Sequence, residues 1–144
     1  MARVRGADIL VKALKNEGVE VVFDLPGDPI GSISTGLRRE GIRTLSFRHE
    51  QATAMAAQAY GYALRTIGVA VVPSGPAMTN AITGLLTASA NCWPMLLIGG
   101  SIESRRRFRG DFQETPQVEA AAPFCKWSVA VEDPRRIPYF VNMA

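Results

Sequence analysis

Apolar and polar positions follow two periods along this chain, and the switches between them mark its elements. From Gly6 to Asn16 (GADILVKALKN), Ile9, Leu10, Ala13 and Leu14 share one stripe of period 3.6. That spacing predicts a helix, and Gly18 stands where a C′ residue would close it. Residues 19–23 (VEVVF) are short, β-branched and followed by the breaker Pro26-Gly27, which predicts a strand. The same reading predicts helices over 30–39, 50–65 and 78–91, and strands over 43–47, 69–73 and 95–99. The third strand runs into the turn Ser74-Gly75-Pro76, and the helix at 50–65 is Ala-rich, suited to close packing. Beyond Gly100 the alternation weakens: a polar loop over 101–115, a short helix over 116–122, and a fifth strand over 126–131 (KWSVAV). Asp133-Pro134 then opens a last helix with an acidic N-cap and Pro in the first position.

Strands that alternate with helices imply a parallel sheet covered on both faces, and the near-continuous apolar strands agree. No linker or internal repeat divides the chain, so residues 1–144 are expected to form a single domain. The last helix reaches Ala144 after about three turns with no strand behind it, the pattern of a domain cut short at its C-terminus.

Composition narrows the chemistry. The 144 residues hold 16 Lys+Arg, 13 Asp+Glu and one His, for a net charge of +3. That small balance, with no aromatic residue beyond Phe108 among the loop arginines, argues against nucleic acid. No run approaches the ~20 apolar residues of a membrane span, and the N-terminus has no signal-peptide core, so a cytoplasmic, reducing compartment is the expectation. Cys92, Cys125 and His49 are too few and too scattered for a metal site.

In open parallel sheets ligands bind at the carboxyl ends of strands. Four segments fall on that edge: residues 25–29, Arg48-His49-Glu50, residues 74–80 and residues 99–113. Glu50 opens a helix just after a strand. By type alone it is a first-turn acid that complements the helix dipole. In a poorly hydrated cleft it would instead hold a raised pKa and share a proton with a ligand nitrogen. His49 with Ser74 does not make a hydrolase, because the stretch Val-Pro-Ser-Gly-Pro lacks the G-x-S-x-G elbow. Residues 74–80 match neither nucleotide-binding glycine motif, so a tight strand-to-helix turn that could bring backbone N–H groups to an anion is what remains. Arg105, Arg106, Arg107 and Arg109 read as a solvated loop, with phosphates or an acidic partner as the alternative.

Taken in order, Phe47-Arg48-His49-Glu50-Gln51, Ser74-Gly75-Pro76 with Thr79-Asn80, and Asp111-Phe112-Gln113-Glu114 resemble the N-terminal pyrimidine-binding domain of thiamine-diphosphate enzymes of the acetolactate synthase superfamily. Asn91-Cys92-Trp93-Pro94, Ile98-Gly99-Gly100-Ser101 and Pro116-Gln117-Val118-Glu119-Ala120 make the resemblance strongest to the 2-hydroxyacyl-CoA lyase and oxalyl-CoA decarboxylase branch. It implies a flavodoxin-like, Rossmann-like three-layer fold without its usual last strand. It implies that Glu50 hydrogen-bonds N1′ of the cofactor's aminopyrimidine and favours the imino tautomer, whose nitrogen takes the proton from C2 of the thiazolium. Ser74, Gly75, Pro76 and Asn80 correspond to the cofactor wall at a dimer interface; Gly27, Asp28, Phe112 and Gln113 correspond to the substrate side. Oxalyl-CoA decarboxylases tend to carry Tyr-Glu where this chain has Phe112-Gln113, which favours the lyase. Asp24, Asp28 and Ala77 depart from the Gly, apolar residue and Gly usual at those places.

The resemblance further implies a carbon–carbon lyase or carboligase acting on an acyl-CoA or 2-oxo acid, in a homodimer or homotetramer, cytoplasmic or peroxisomal. The Gly-Asp-Gly…Asn signature for the cofactor's diphosphate and Mg²⁺ is absent from this chain, so both are expected to need a diphosphate-binding domain in a longer or separate chain. Alone, the 144 residues are expected to be inactive. An oxalyl-CoA decarboxylase or acetolactate synthase-type fragment is the alternative within the class, and a non-catalytic interaction module or remnant the alternative outside it.

Overall fold

A computed structural model describes residues 4–144. Among these residues the chain runs α1 (Gly6–Asn16), β1 (Val21–Asp24), α2 (Gly31–Arg39), β2 (Arg43–Ser46), α3 (Glu50–Leu64), β3 (Gly68–Val72), α4 (Pro76–Ala90), β4 (Met95–Gly99), α5 (Gln117–Ala121) and α6 (Ile137–Met143). The strands form one parallel sheet in the order β2-β1-β3-β4. This is the flavodoxin-like order, whose switch point lies between β1 and β3.

Strand alternation sorts the core into two faces. Val22, Val69 and Val71 point toward α1 and α2, where Val11, Leu14 and Leu37 are fully buried. Phe23, Ala70 and Val72 point the other way, toward α3 and α4. Every residue of β3 is buried, as expected of a central strand with helices above and below. The result is the three-layer α/β fold that the element pattern predicts.

Boundary differences have local causes. Val19 is not in β1 because it closes α1: its N–H donates to the Leu14 carbonyl and that of Gly18 to the Lys15 carbonyl. These are the two bonds of a Schellman cap. Helix α4 starts at Pro76, earlier than 78, because proline is preorganised for the first helical position. Asp133 caps as expected, its side chain accepting from the Arg135 N–H at 3.0 Å, and a 3₁₀ turn at Pro134–Arg136 leads into α6.

The fifth strand expected over 126–131 is corrected. The stretch pairs with no strand, and β4 is the last strand of the sheet. It is held elsewhere: Trp127 stacks on Phe140 of α6 with ring centroids 5.5 Å apart, and Ser128 Oγ donates to the Val118 carbonyl at 2.8 Å. An apolar groove separates it from β4. Alternation marks an extended segment but does not supply the neighbour that would make it a strand.

Candidate functional site

All four parallel strands end at the same edge, and each is followed there by one of the segments that carry candidate residues. Glu50 is the first residue of α3. His49 precedes it as the N-cap, with extended backbone and Nδ1 accepting the Gln51 N–H at 3.1 Å. Ser74 Oγ donates to Gln113 Oε1 at 3.4 Å. Each member of the Ser–His pair therefore has a structural partner of its own.

The half-buried Glu50 carboxylate sits where the α3 dipole favours negative charge. Its Oε2 accepts from Asn80 Nδ2, one turn into α4, at 3.0 Å. Residues 30 apart in sequence are joined because α3 and α4 pack side by side through small residues. A Cβ on Gly84 would stand 2.5 Å from that of Ala54. No hydrogen bond among the described residues takes up Oε1 of Glu50.

A second set gathers around Gly75. This residue has φ +60° and ψ −116°, a conformation that glycine reaches without strain, and it caps α4 ahead of Pro76. A Cβ there would run into the Gln113 backbone carbonyl. Gln113 itself has φ +61°. Gly27, in the loop after β1, lies against Pro73, 2.8 Å from an added Cβ to the proline ring. The exposed Asp28 follows it in a cis peptide bond to Pro29, and Pro29 in turn packs near Gly100. The loops after β1, β3 and β4 are thus in mutual contact. Phe112 stands apart, 74% exposed.

Gln117 was not singled out in sequence. Its Oε1 accepts the Gly75 N–H at 3.1 Å and its Nε2 donates to the Gly100 carbonyl at 2.6 Å. One amide therefore fixes the loop after β3 to the end of β4. Its place at the start of the short α5 was legible; its two partners, 42 and 17 residues away, were not.

Glu114 organises the adjoining loop, accepting from the backbone N–H groups of Phe108, Gly110 and Asp111. The Phe108 N–H, with those of Asp111, Gly110 and Arg109, holds the carboxyl below the usual value of 4.5. Three of the four arginines pair with acids: Arg105 with Glu103, Arg106 with Asp111 and Arg107 with Glu132. A lowered carboxyl contributes order that is present above its ordinary value and lost as pH falls through the lowered one. Protection of the Gly110 and Asp111 amides, measured against free-peptide exchange at the same pH, is therefore expected to fall on acidification below about pH 4.5. Glu114→Gln should remove that pH dependence of protection and leave both amides less protected at neutral pH; an unchanged protection profile in the variant would refute the assignment.

A parallel three-layer domain whose carboxyl edge brings together a helix-terminal carboxylate and a glycine-built turn has the form of a ligand-binding α/β domain. The family comparison gives it a narrower place. A model described as thiamine pyrophosphate enzyme, N-terminal TPP binding domain, matches residues 4–121, and the chain belongs to that family. Human 2-hydroxyacyl-CoA lyase 1 is 39% identical over 142 residues, covering 99% of this chain and 25% of the relative. Oxalyl-CoA decarboxylase of Escherichia coli K12 is 34% identical over 134 residues, 90% of this chain and 23% of the relative. The acetolactate synthase large subunit of Haemophilus influenzae is 37% identical over 145 residues, 100% of this chain and 25% of the relative. The chain spans about a quarter of the length of these relatives. Among the described residues no helix is long and apolar enough to cross a membrane, and no group of three or more His, Cys, Asp and Glu could hold a metal ion.

Proposed function

We propose that this chain supplies the pyrimidine-activating part of a thiamine-diphosphate site in a carbon–carbon lyase or carboligase, with a 2-hydroxyacyl-CoA as the substrate class. The observation that carries the reading is Glu50: a carboxylate at a helix start, one oxygen held by Asn80, the other with no hydrogen-bond partner among the described residues at the ligand edge. The donor set fits an aminopyrimidine, whose ring nitrogen N1′ needs a carboxyl with which to share a proton. Glu50 holds that proton, Asn80 orients the carboxyl, and the Ser74-Gly75-Pro76 turn, packed against Gln113, forms the wall beside them. Gly27, Asp28, Phe112 and Gln113 face the substrate in this reading. When bound, thiamine diphosphate supplies the electron sink for breaking or forming a bond next to a carbonyl.

The diphosphate and Mg²⁺ belong to a second domain, in a longer or separate chain, and the assembled enzyme is a homo-oligomer. The half-buried state of Glu50 supports this division, since a proton-sharing carboxyl works best where a partner surface excludes water. The free Cys92 and Cys125 suit a reducing, cytoplasmic compartment.

The test is calorimetry with thiamine diphosphate and Mg²⁺, on the chain alone and mixed with the part of human 2-hydroxyacyl-CoA lyase 1 outside the aligned stretch. Binding is expected only in the mixture. Glu50→Gln should leave association of the two chains intact and lower turnover by about 10²-fold or more, the usual weight of a positioned proton-transfer group. A folded chain that associates but binds no cofactor, or a Glu50→Gln mixture with full turnover, would overturn the reading and leave a binding module.

A further inference from the structure

The segment that carries Gln113 runs from Gly100 to α5 without a strand among the described residues. Much of its order is internal: Glu114 gathers the Phe108, Gly110 and Asp111 N–H groups, and Arg106 pairs with Asp111. Among the described residues the Gln113 side chain has one hydrogen bond, a long one of 3.4 Å from Ser74 Oγ. Yet residues 113–117 grip Gly75 at two points. The Gln113 carbonyl lies where a Cβ on Gly75 would point, and Gln117 Oε1 takes the Gly75 N–H at 3.1 Å. The other end of the same amide, Nε2, donates to the Gly100 carbonyl at 2.6 Å. Gly99 leaves room for it, since a Cβ there would stand 3.4 Å from that nitrogen.

We propose that Gln117 is a positioning residue: its carboxamide sets Gln113 against the Gly75 turn and so holds the substrate side of the site in register with the cofactor side. This role rests on the thiamine-diphosphate reading of the site. The chemistry of the bridge carries the first argument. Both partners are main-chain groups of buried residues, one a donor and one an acceptor. A carboxamide offers both functions on one planar group. Without it, each partner is left unpaired unless the segment lifts and water enters.

The rigidity of the partners carries the second. Gly75 caps α4, its carbonyl accepting the Thr79 N–H at 3.0 Å, and Gly100 N–H donates to the Val72 carbonyl at 2.9 Å. Loss of the bridge therefore frees the segment with Gln113 and leaves the turn in place. The Glu50–Asn80 bond, carried by the packing of α3 on α4, uses none of these groups. Gln117 thus acts on the substrate side through Gln113, apart from the carboxylate that serves the cofactor.

The test uses the 144-residue chain mixed with the part of human 2-hydroxyacyl-CoA lyase 1 outside the aligned stretch, with thiamine diphosphate, Mg²⁺ and 2-hydroxyoctanoyl-CoA. Gln117→Met keeps the length and removes both hydrogen-bonding functions. It should lower kcat/KM by about tenfold or more, since a displacement of about 1 Å at a positioned group can cost ~100-fold. Cofactor affinity, read by calorimetry, should stay within about threefold. A merely structural residue would lower both together. Gln117→Glu is the second variant. A protonated carboxyl repeats the amide's pattern of one acceptor and one donor, whereas the ionised form only accepts and faces the Gly100 carbonyl. The bridge therefore returns as this variant takes up a proton. Relative to the unaltered chain, its kcat/KM should recover as pH falls from about 8 to about 5.5, which that of Gln117→Met should not do.

The role is overturned if Gln117→Met keeps the kcat/KM of the unaltered chain, or if it loses cofactor affinity by the same factor. It is also overturned if the relative kcat/KM of Gln117→Glu does not change with pH. If Gln117→Met does not fold, the pH response of Gln117→Glu decides alone. An unaltered mixture without cofactor binding or without turnover would sink the thiamine-diphosphate reading and this role with it. A failure confined to the variants leaves that reading standing.

Discussion

Gly68→Ala is expected to lower the melting temperature by about 10 °C or more, the loss that ~3 kcal/mol or more produces in a domain of this size. Gly68 begins β3 and pairs with Met95 of β4. A Cβ at this position would land on the backbone carbonyl of Ala57 in α3, 2.6 Å from its carbon. That neighbour is main chain, not the flexible end of a side chain, so relief requires the helix to move off the sheet. The movement is opposed on both sides. Ala57 is fully buried, and β3 is fixed between β1 and β4. Helix α3 is also the element that begins with Glu50, so a shift large enough to admit one methyl group would displace the carboxylate at the ligand edge. Gly31→Ala is the control: nothing lies within 4 Å of its added Cβ, and stability should change by less than about 1 kcal/mol. Thermal melts of the two variants decide the matter. A Gly68→Ala protein melting within about 2 °C of the parent would show that α3 does not rest on β3 as described.

The fold was legible where local signals and tertiary structure agree. Helix α1 and strand β4 fall on their predicted residues because the apolar stripe, the Gly18 cap and the Pro94 and Gly100 boundaries all act within a few positions. Residues 126–131 have the same local signature, yet strand formation depends on a partner that their own sequence does not encode, and Trp127 and Ser128 find other partners instead. The site divides similarly. Glu50 was suspected from its place just after a strand, and Ser74, Gly75 and Gln113 through the family resemblance; the fold brings the loops that carry them to one edge of the parallel sheet. The Glu50–Asn80 bond and the Gln117 bridge arise from helix packing and loop contact, and no periodicity reports them.

Asp24 shows how a departure from the family pattern is accommodated, and it yields the second large effect. Asp24→Ala is expected to cost about 3 kcal/mol, while Asp24→Asn should cost about 1 kcal/mol. The side chain is fully buried at the end of β1. Its Oδ2 accepts from Ser34 Oγ of α2 at 2.9 Å and its Oδ1 from Ser46 Oγ of β2 at 2.6 Å. A buried carboxylate needs such donors, and hydrogen bonds to charged groups are the stronger ones. Alanine removes both bonds and leaves the Ser34 hydroxyl, only 2% exposed, without its acceptor; Ser46 can turn to water. Asparagine keeps one acceptor oxygen and can donate to the other hydroxyl, hence the smaller loss. The three residues act as one unit, so Asp24→Ala with Ser34→Ala should cost less than the sum of the single changes, with a coupling of about 1–2 kcal/mol. Additive losses in denaturant titrations would mean that the two side chains do not depend on each other. The consequence reaches the site, because the loop with Gly27 and Asp28 begins directly after Asp24. A carboxylate bound to α2 and β2 at once fixes where that loop departs from the sheet.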